Sequence, residues 1–198
     1  MDEITLFLNN LNFNWSIIES TAVFFSVLYV ILALKESIWC WAAAAISVII
    51  YIYICYTALL YPETVLQVFY LLMALYGYYQ WNKNDSNLHI QQWTTTKHLL
   101  ILLIGALLTF LMGFYFTIYT NAAMPLVDSF TTVFSVFATY MVTKKVLGNW
   151  LYWIVIDAVS VYLYFSRDLH LTSLLFIVYT FIAIFGYFSW LNRKNELA

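Results

Sequence analysis

Charge is what this sequence has least of. Only 9% of its 198 residues are Asp, Glu, Lys or Arg, against 64% hydrophobic residues and a mean hydropathy of +0.83. A soluble domain carries about 25% charged residues, so that class is excluded. The net charge of −2, with no basic run and no glycine-rich phosphate loop, excludes a nucleic-acid partner. Cysteine is nearly absent, and Cys40 and Cys55 share one apolar segment, which supports neither a disulfide framework nor a zinc site. Both read as core thiols. No His and Glu cluster, no Ser, His and Asp set and no nucleotide loop falls within the apolar segments. The chain is therefore not expected to be an enzyme, and no catalytic residue, metal or cofactor is called for. The acidic start "MDEITLF" has none of the features of a signal peptide, and the mature chain is expected to begin near Met1.

What the chain does have is seven apolar stretches close to the length a bilayer requires, at 17–34, 38–60, 64–82, 98–120, 125–143, 149–166 and 172–191. They predict an all-α integral membrane protein with seven transmembrane helices. Lys and Arg concentrate in cytoplasmic loops. With the N-terminus outside, Lys35, Lys83, Lys97, Lys144, Lys145, Arg193 and Lys194 all fall on the inner side and Arg167 alone on the outer side. The expectation is N-terminus out and C-terminus in the cytoplasm. Histidines 89, 98 and 170 fall near helix ends, where solvated roles are expected.

Sliding the chain by 109 residues aligns 19–81 with 128–190 without a gap. Identities include Ser26 with Ser135, Trp41 with Trp150, Tyr70 with Tyr179, Ala74 with Ala183, Gly77 with Gly186 and Trp81 with Trp190, and Glu19 meets Asp128. Two copies of an odd number of helices joined directly would face opposite sides of the membrane. A linker helix corrects this and makes the two repeats parallel, an arrangement shared with SWEET sugar carriers, whose site lies between repeats near the midplane. The expected organisation is 3+1+3. Residues 1–16 form an interfacial or disordered segment, 17–82 the first three-helix repeat, 83–124 a linker with transmembrane helix 4, 125–191 the second repeat and 192–198 a cytoplasmic tail.

Polar side chains inside spans are costly and tend to face the bundle interior or a wet cavity. In "NWLYWIVIDAVS", Trp150, Trp153, Asp157 and Ser160 share one helical face, and Asn149 begins that helix. The third helix presents Gln67 and Tyr70, and the seventh presents Tyr179. Bland readings stand beside these: helix packing for Ala74, Gly77, Ala183 and Gly186, an interfacial aromatic belt for Trp15, Trp81 and Trp190, and an interhelical bond for Gln67. Glu19 and Asp128 are either helix-start carboxylates or groups at a gate or entry. Two aromatic plates beside a carboxylate suit a flat cation, held by stacking and cation–π attraction and offset in charge by the anion. The same aspartate could instead carry a proton or belong to a proton path.

The stretches "LQVFYLLMALYGYYQW" at 66–81 and "NWLYWIVIDAVSV" at 149–161 resemble the Pnu family of bacterial vitamin transporters, and the likeness runs from Glu19 to Trp190. The resemblance implies a homotrimer in the bacterial inner membrane. It also implies facilitated diffusion by alternating access, with the cargo trapped by a cytoplasmic kinase. Trp150 and Trp153 match the family's WxxW motif, associated with stacking the substrate ring, and Gln67 matches a polar position associated with binding. Ala74 and Asp157 stand where some nicotinamide riboside carriers have asparagines. An amide lost and a charge gained favour a cation with less sugar-like polarity, so thiamine is the expected cargo and nicotinamide riboside the alternative. A vitamin-binding membrane subunit of an ATP-driven importer is the rival from another class.

Overall fold

Each apolar stretch folds as a helix. The computed structural model describes residues 17–57, 61–83, 89–120, 122–167 and 169–196. Its helices are α1 (Ile17–Leu34), α2 (Trp39–Thr57), α3 (Tyr61–Lys83), α4 (Thr95–Tyr119), α5 (Pro125–Thr143), α6 (Asn149–Phe165) and α7 (His170–Glu196). The segment 1–16, with Trp15, lies outside the described residues, as do 84–88 of the linker and 197–198 of the tail. Five helices are long and apolar enough to cross a membrane by themselves: α1, α2, α4, α5 and α7. The sequence expectation was seven. The third helix falls short because it spends its length on Glu63, Gln67, Gln80 and tyrosines, and α6 because it is only 17 residues long.

Packing follows chain order, α1 on α2 on α3, and α4 on α5 on α6 on α7. The principal contacts joining the first three helices to the last three are α3 with α5 and α7 with α1. Those two contacts interchange under the 109-residue offset. The fourth helix stands apart: Leu99, Leu103, Leu107, Phe110, Leu111 and Phe114 are exposed, as suits a lipid face. Its buried positions are Gly105 and Gly113. A methyl group at either would strike Phe134 or Leu126 of α5, so these glycines let the two backbones approach.

Trp81 and Trp190 are buried, at 4% and 0% exposure, which corrects the expectation of an aromatic belt. The Trp81 indole donates to the Thr143 carbonyl at 3.2 Å, and the Trp190 indole donates to the Leu34 carbonyl at 3.1 Å. Position 34 plus 109 is 143, and 81 plus 109 is 190, so each tryptophan bolts the end of its own three-helix group to the equivalent point of the other. Each also meets a second tryptophan edge-on, Trp81 with Trp41 at 5.4 Å and 85° and Trp190 with Trp150 at 5.4 Å and 89°. A methyl group at Gly77 would run into the Trp41 ring, and one at Gly186 into the Trp150 ring. Packing is therefore the role of these two glycines.

The described part of the linker docks on the α5–α6 turn. Gln91 N–H donates to the Lys145 carbonyl, Leu147 N–H donates to the Gln91 carbonyl, and the Gln91 side-chain amide donates to the Lys144 carbonyl at 2.6 Å. His98 departs from the expected solvated role. It stacks on Tyr152 at 5.8 Å and hydrogen-bonds its hydroxyl at 3.2 Å. Cys40 and Cys55 are buried free thiols.

Candidate functional site

A cavity of about 400 Å³ is lined by residues of six helices, with none from α4. Its walls pair across the same offset: Ser26 with Ser135, Trp41 with Trp150, Tyr70 with Tyr179 and Ala74 with Ala183 all face it. Where the two walls differ, chemistry appears. The second wall has Trp153 and Asp157 where the first has Ala44 and Val48, and the first has Gln67 where the second has Phe176. A near-symmetric box thus acquires one aromatic plate with a carboxylate a helical turn along, and an amide on α3.

Of the residues read from the sequence, Trp150, Trp153, Asp157, Gln67, Tyr70, Ser160 and Tyr179 all line this cavity. The two tryptophans differ in freedom. Trp150 is 2% exposed and held between Trp190 and Gly186, which makes it wall. Trp153 is half-buried, packs against both core clusters with no ring partner among the described residues, and also lines the cavity. Ala74 and Ala183, read as packing residues, also reach the cavity wall.

Asn149 is not brought to the cavity. It is fully buried in the α5–α6 turn, where both its backbone N–H, at 3.0 Å, and its side-chain amide, at 2.7 Å, donate to the Val146 carbonyl, so the side chain helps close the turn. Glu19 and Asp128 also stand outside the lining residues. Asp128 accepts from Arg167 at 2.7 Å.

Sequence reasoning picked out Tyr70, Tyr179 and Ser160 but missed the lining hydroxyls of Ser26, Ser47, Tyr51 and Ser135. Tyr70 and Ser135 share a hydrogen bond at 2.5 Å; Tyr51 and Tyr179 turn their hydroxyls to Ser26, which bonds Ser47 at 2.7 Å. The signal was present in the repeat, since Tyr70 with Ser135 and Tyr179 with Ser26 are the same pair offset by 109. Asp157, 4% exposed, accepts no hydrogen bond and forms no ion pair with any described residue. No Lys, Arg or His lines the cavity. A buried carboxylate without a protein partner is costly, and the arrangement suits a cation that brings its own charge.

Comparison with known proteins follows the same direction. The chain is 28% identical over 213 residues, covering 93% of itself and 89% of the relative, to the nicotinamide riboside transporter PnuC of Escherichia coli (strain K12). It is 22% identical to the riboflavin/roseoflavin transporter RibM of Streptomyces davaonensis, covering 83% of itself and 80% of that protein. A crystal structure of the vitamin B3 transporter PnuC shares its fold, with a TM-score of 0.74 at 22% identity over 98% of this chain and 88% of the other. The expected thiamine cargo is not supported by these relatives and is withdrawn. It rested on Ala74 and Asp157, and a carboxylate does not discriminate between two flat cations of similar size. The family described as nicotinamide mononucleotide transporter matches residues 16–192, and the chain belongs to it: a multi-pass membrane transporter of the vitamin-carrying Pnu type, not an enzyme.

Proposed function

We propose that this protein carries nicotinamide riboside, with its cationic nicotinamide ring on Trp153 and its charge met by Asp157. The observation that carries the reading is the asymmetry of the cavity. Trp153 and Asp157 stand one helical turn apart on one wall and Gln67 on the other, which supplies a plate, a counter-charge and a polar anchor to a single ligand. Tyr70, Tyr179 and Ser160 add hydroxyls suited to a ribose. The name of the Escherichia coli relative supports this cargo over a flavin.

The two groups α1–α3 and α5–α7 act as parallel three-helix repeats joined by α4, and rock against each other about the cavity to open it alternately to each side. The reciprocal contacts of Trp81 and Trp190 support that division. The orientation is N-terminus out in the inner membrane, since the basic residues Lys35, Lys144, Lys145, Arg193 and Lys194 gather at one end of the bundle. With no ATP-binding motif, uptake follows the cargo gradient, kept steep by a cytoplasmic kinase. The exposed apolar face of α4 leaves surface for lipid and for the two further copies of a homotrimer. Glu19 and Asp128, at the opposite end, flank the entry.

Titration of the purified protein with nicotinamide riboside, followed by tryptophan fluorescence, tests the cargo. Saturable quenching lost in Trp153→Ala is expected. Equal or stronger binding of riboflavin would overturn it.

A further inference from the structure

Three lysines at the basic end of the bundle, Lys83, Lys97 and Lys144, make no ion pair with any described residue. Glu36, at the same end, is taken by Lys145 and Arg193. Each of the three instead rests over an aromatic ring: Lys83 over Tyr79 at 5.5 Å, Lys97 over Trp93 at 5.6 Å, and Lys144 over both Tyr76 at 5.1 Å and Tyr140 at 5.9 Å. Three of these rings form one strip. Tyr76 of α3 stacks on Tyr140 of α5 at 6.5 Å and 8°, and Trp93 of the linker leans on Tyr140 at 6.4 Å. Lys83 shares the α3 face of Tyr76, two turns along, and Gln80 between them donates to the Tyr76 hydroxyl at 2.8 Å.

The strip is peculiar to one seam. The contacts of α3 with α5 and of α7 with α1 are counterparts under the 109-residue offset, which carries Tyr76 to Phe185 and Tyr140 to Ile31. Phe185 and Ile31 are exposed and apolar, as plain contact with lipid tails requires. A general interfacial belt gives no reason for the two seams to differ. The counterpart of Lys144 is Lys35, so the difference lies in the rings and the linker and not in the charge at the helix end. Aromatic faces hold ammonium groups in position but cancel none of their charge. Cations gathered on one strip therefore call for an anion from outside the chain.

We propose that the α3–α5 seam binds the phosphate of an anionic phospholipid, with Lys97 and Lys144 as its donors, Lys83 at its margin and the Tyr76, Tyr140 and Trp93 strip at the headgroup–acyl boundary. Ammonium groups make charge-assisted hydrogen bonds to phosphate oxygens, and Tyr and Trp suit a boundary that is apolar on one side and wet on the other. Leu72, one turn deeper on the α3 face of Tyr76, is exposed and receives an acyl chain. The orientation proposed above turns this end to the cytoplasm, whose leaflet carries anionic lipid. Helix α3 belongs to the first three-helix group, α5 to the second and Trp93 to the linker. One headgroup thus touches all three, and it ties the halves together beside the Trp81–Thr143 bond.

The test uses purified full-length protein in detergent, stripped of lipid, and native mass spectrometry with added phosphatidylglycerol or phosphatidylcholine. The protein should retain phosphatidylglycerol about tenfold or more over phosphatidylcholine, and its Tm should rise with the first lipid only. The double variant Lys97→Gln/Lys144→Gln should lose that preference. Lys35→Gln, the same change at the counterpart of Lys144, should keep it. Should the double variant not insert, Lys97→Gln alone, a change to an exposed side chain, decides the matter by a several-fold loss. Equal retention of the two lipids by the wild-type protein, or an equal loss of preference in Lys35→Gln, would overturn the inference and leave an ordinary basic belt. Stabilisation by soluble glycerol 1-phosphate as great as by phosphatidylglycerol would assign the seam to a free phosphate and overturn the lipid. Detergent has no sides, so the result does not depend on the orientation of the chain or on its cargo.

Discussion

Glu36 and Lys145 occupy equivalent positions 109 residues apart and form an ion pair with each other at 3.0 Å. Both adopt a left-handed backbone, with φ of 55° and 49°, because each ends its helix in the conformation that commonly terminates a helix. Arg193 donates to the other carboxylate oxygen at 3.1 Å, and Lys145 rests over the Trp81 ring at 4.8 Å. Equivalent positions meet where two similar halves face each other. Like charges there would repel, so the difference between Glu and Lys turns a point of conflict into a clasp.

Glu36→Gln removes the clasp's anion and leaves Lys145 and Arg193 without it. The expected loss is about 1 kcal/mol, or ~2–4 °C in Tm, measured by thermal unfolding in detergent. A double-mutant cycle with Lys145→Met should return a coupling energy above zero.

Trp81→Phe and Trp190→Phe each delete one indole donor bonded across the halves. Because the two bonds are counterparts, the two variants should lose similar stability, about 1 kcal/mol each from the hydrogen bond plus a packing term. A large loss in only one would show that one half carries the joint. Thermal unfolding of both variants side by side decides this.

Gly186→Ala places a methyl group where the Trp150 ring now lies. Since that ring is buried against Trp190, it has nowhere to yield without moving the cavity wall. The expected result is weaker riboside binding together with a lower Tm, by about 1–3 kcal/mol of overpacking, whereas Gly148→Ala, packed against His98, should spare binding.

Helix number and placement were legible because apolar length is a strong signal: α1 and α5 match their predicted stretches residue for residue. The face of α6 was legible for a related reason, since one aspartate among apolar residues must point inward. What periodicity did not show was how a side chain is shared between helices. Asn149 looked like a ligand-facing amide but serves its own turn. Trp81 and Trp190 looked like interfacial residues, because position near a span end is visible in sequence and an accepting carbonyl on another helix is not. The thiamine expectation failed at a finer level. It asked one carboxylate to distinguish two cations.

Asp157→Asn bears on charge recognition directly. The reduced dihydropyridine form of nicotinamide riboside has nearly the same shape and no ring charge. Wild-type protein should prefer the cation by about tenfold or more, from roughly 1–2 kcal/mol of charge-dependent attraction. In the variant that preference should shrink towards equality, as read by competition binding.

The most direct measurement is uptake of labelled nicotinamide riboside into liposomes containing this protein and no other, compared with liposomes holding Trp153→Ala. Saturable uptake, competed by unlabelled riboside and reduced about tenfold or more by loss of the ring, is the predicted result. Uptake no greater than in protein-free liposomes, or uptake indifferent to Trp153, would contradict it.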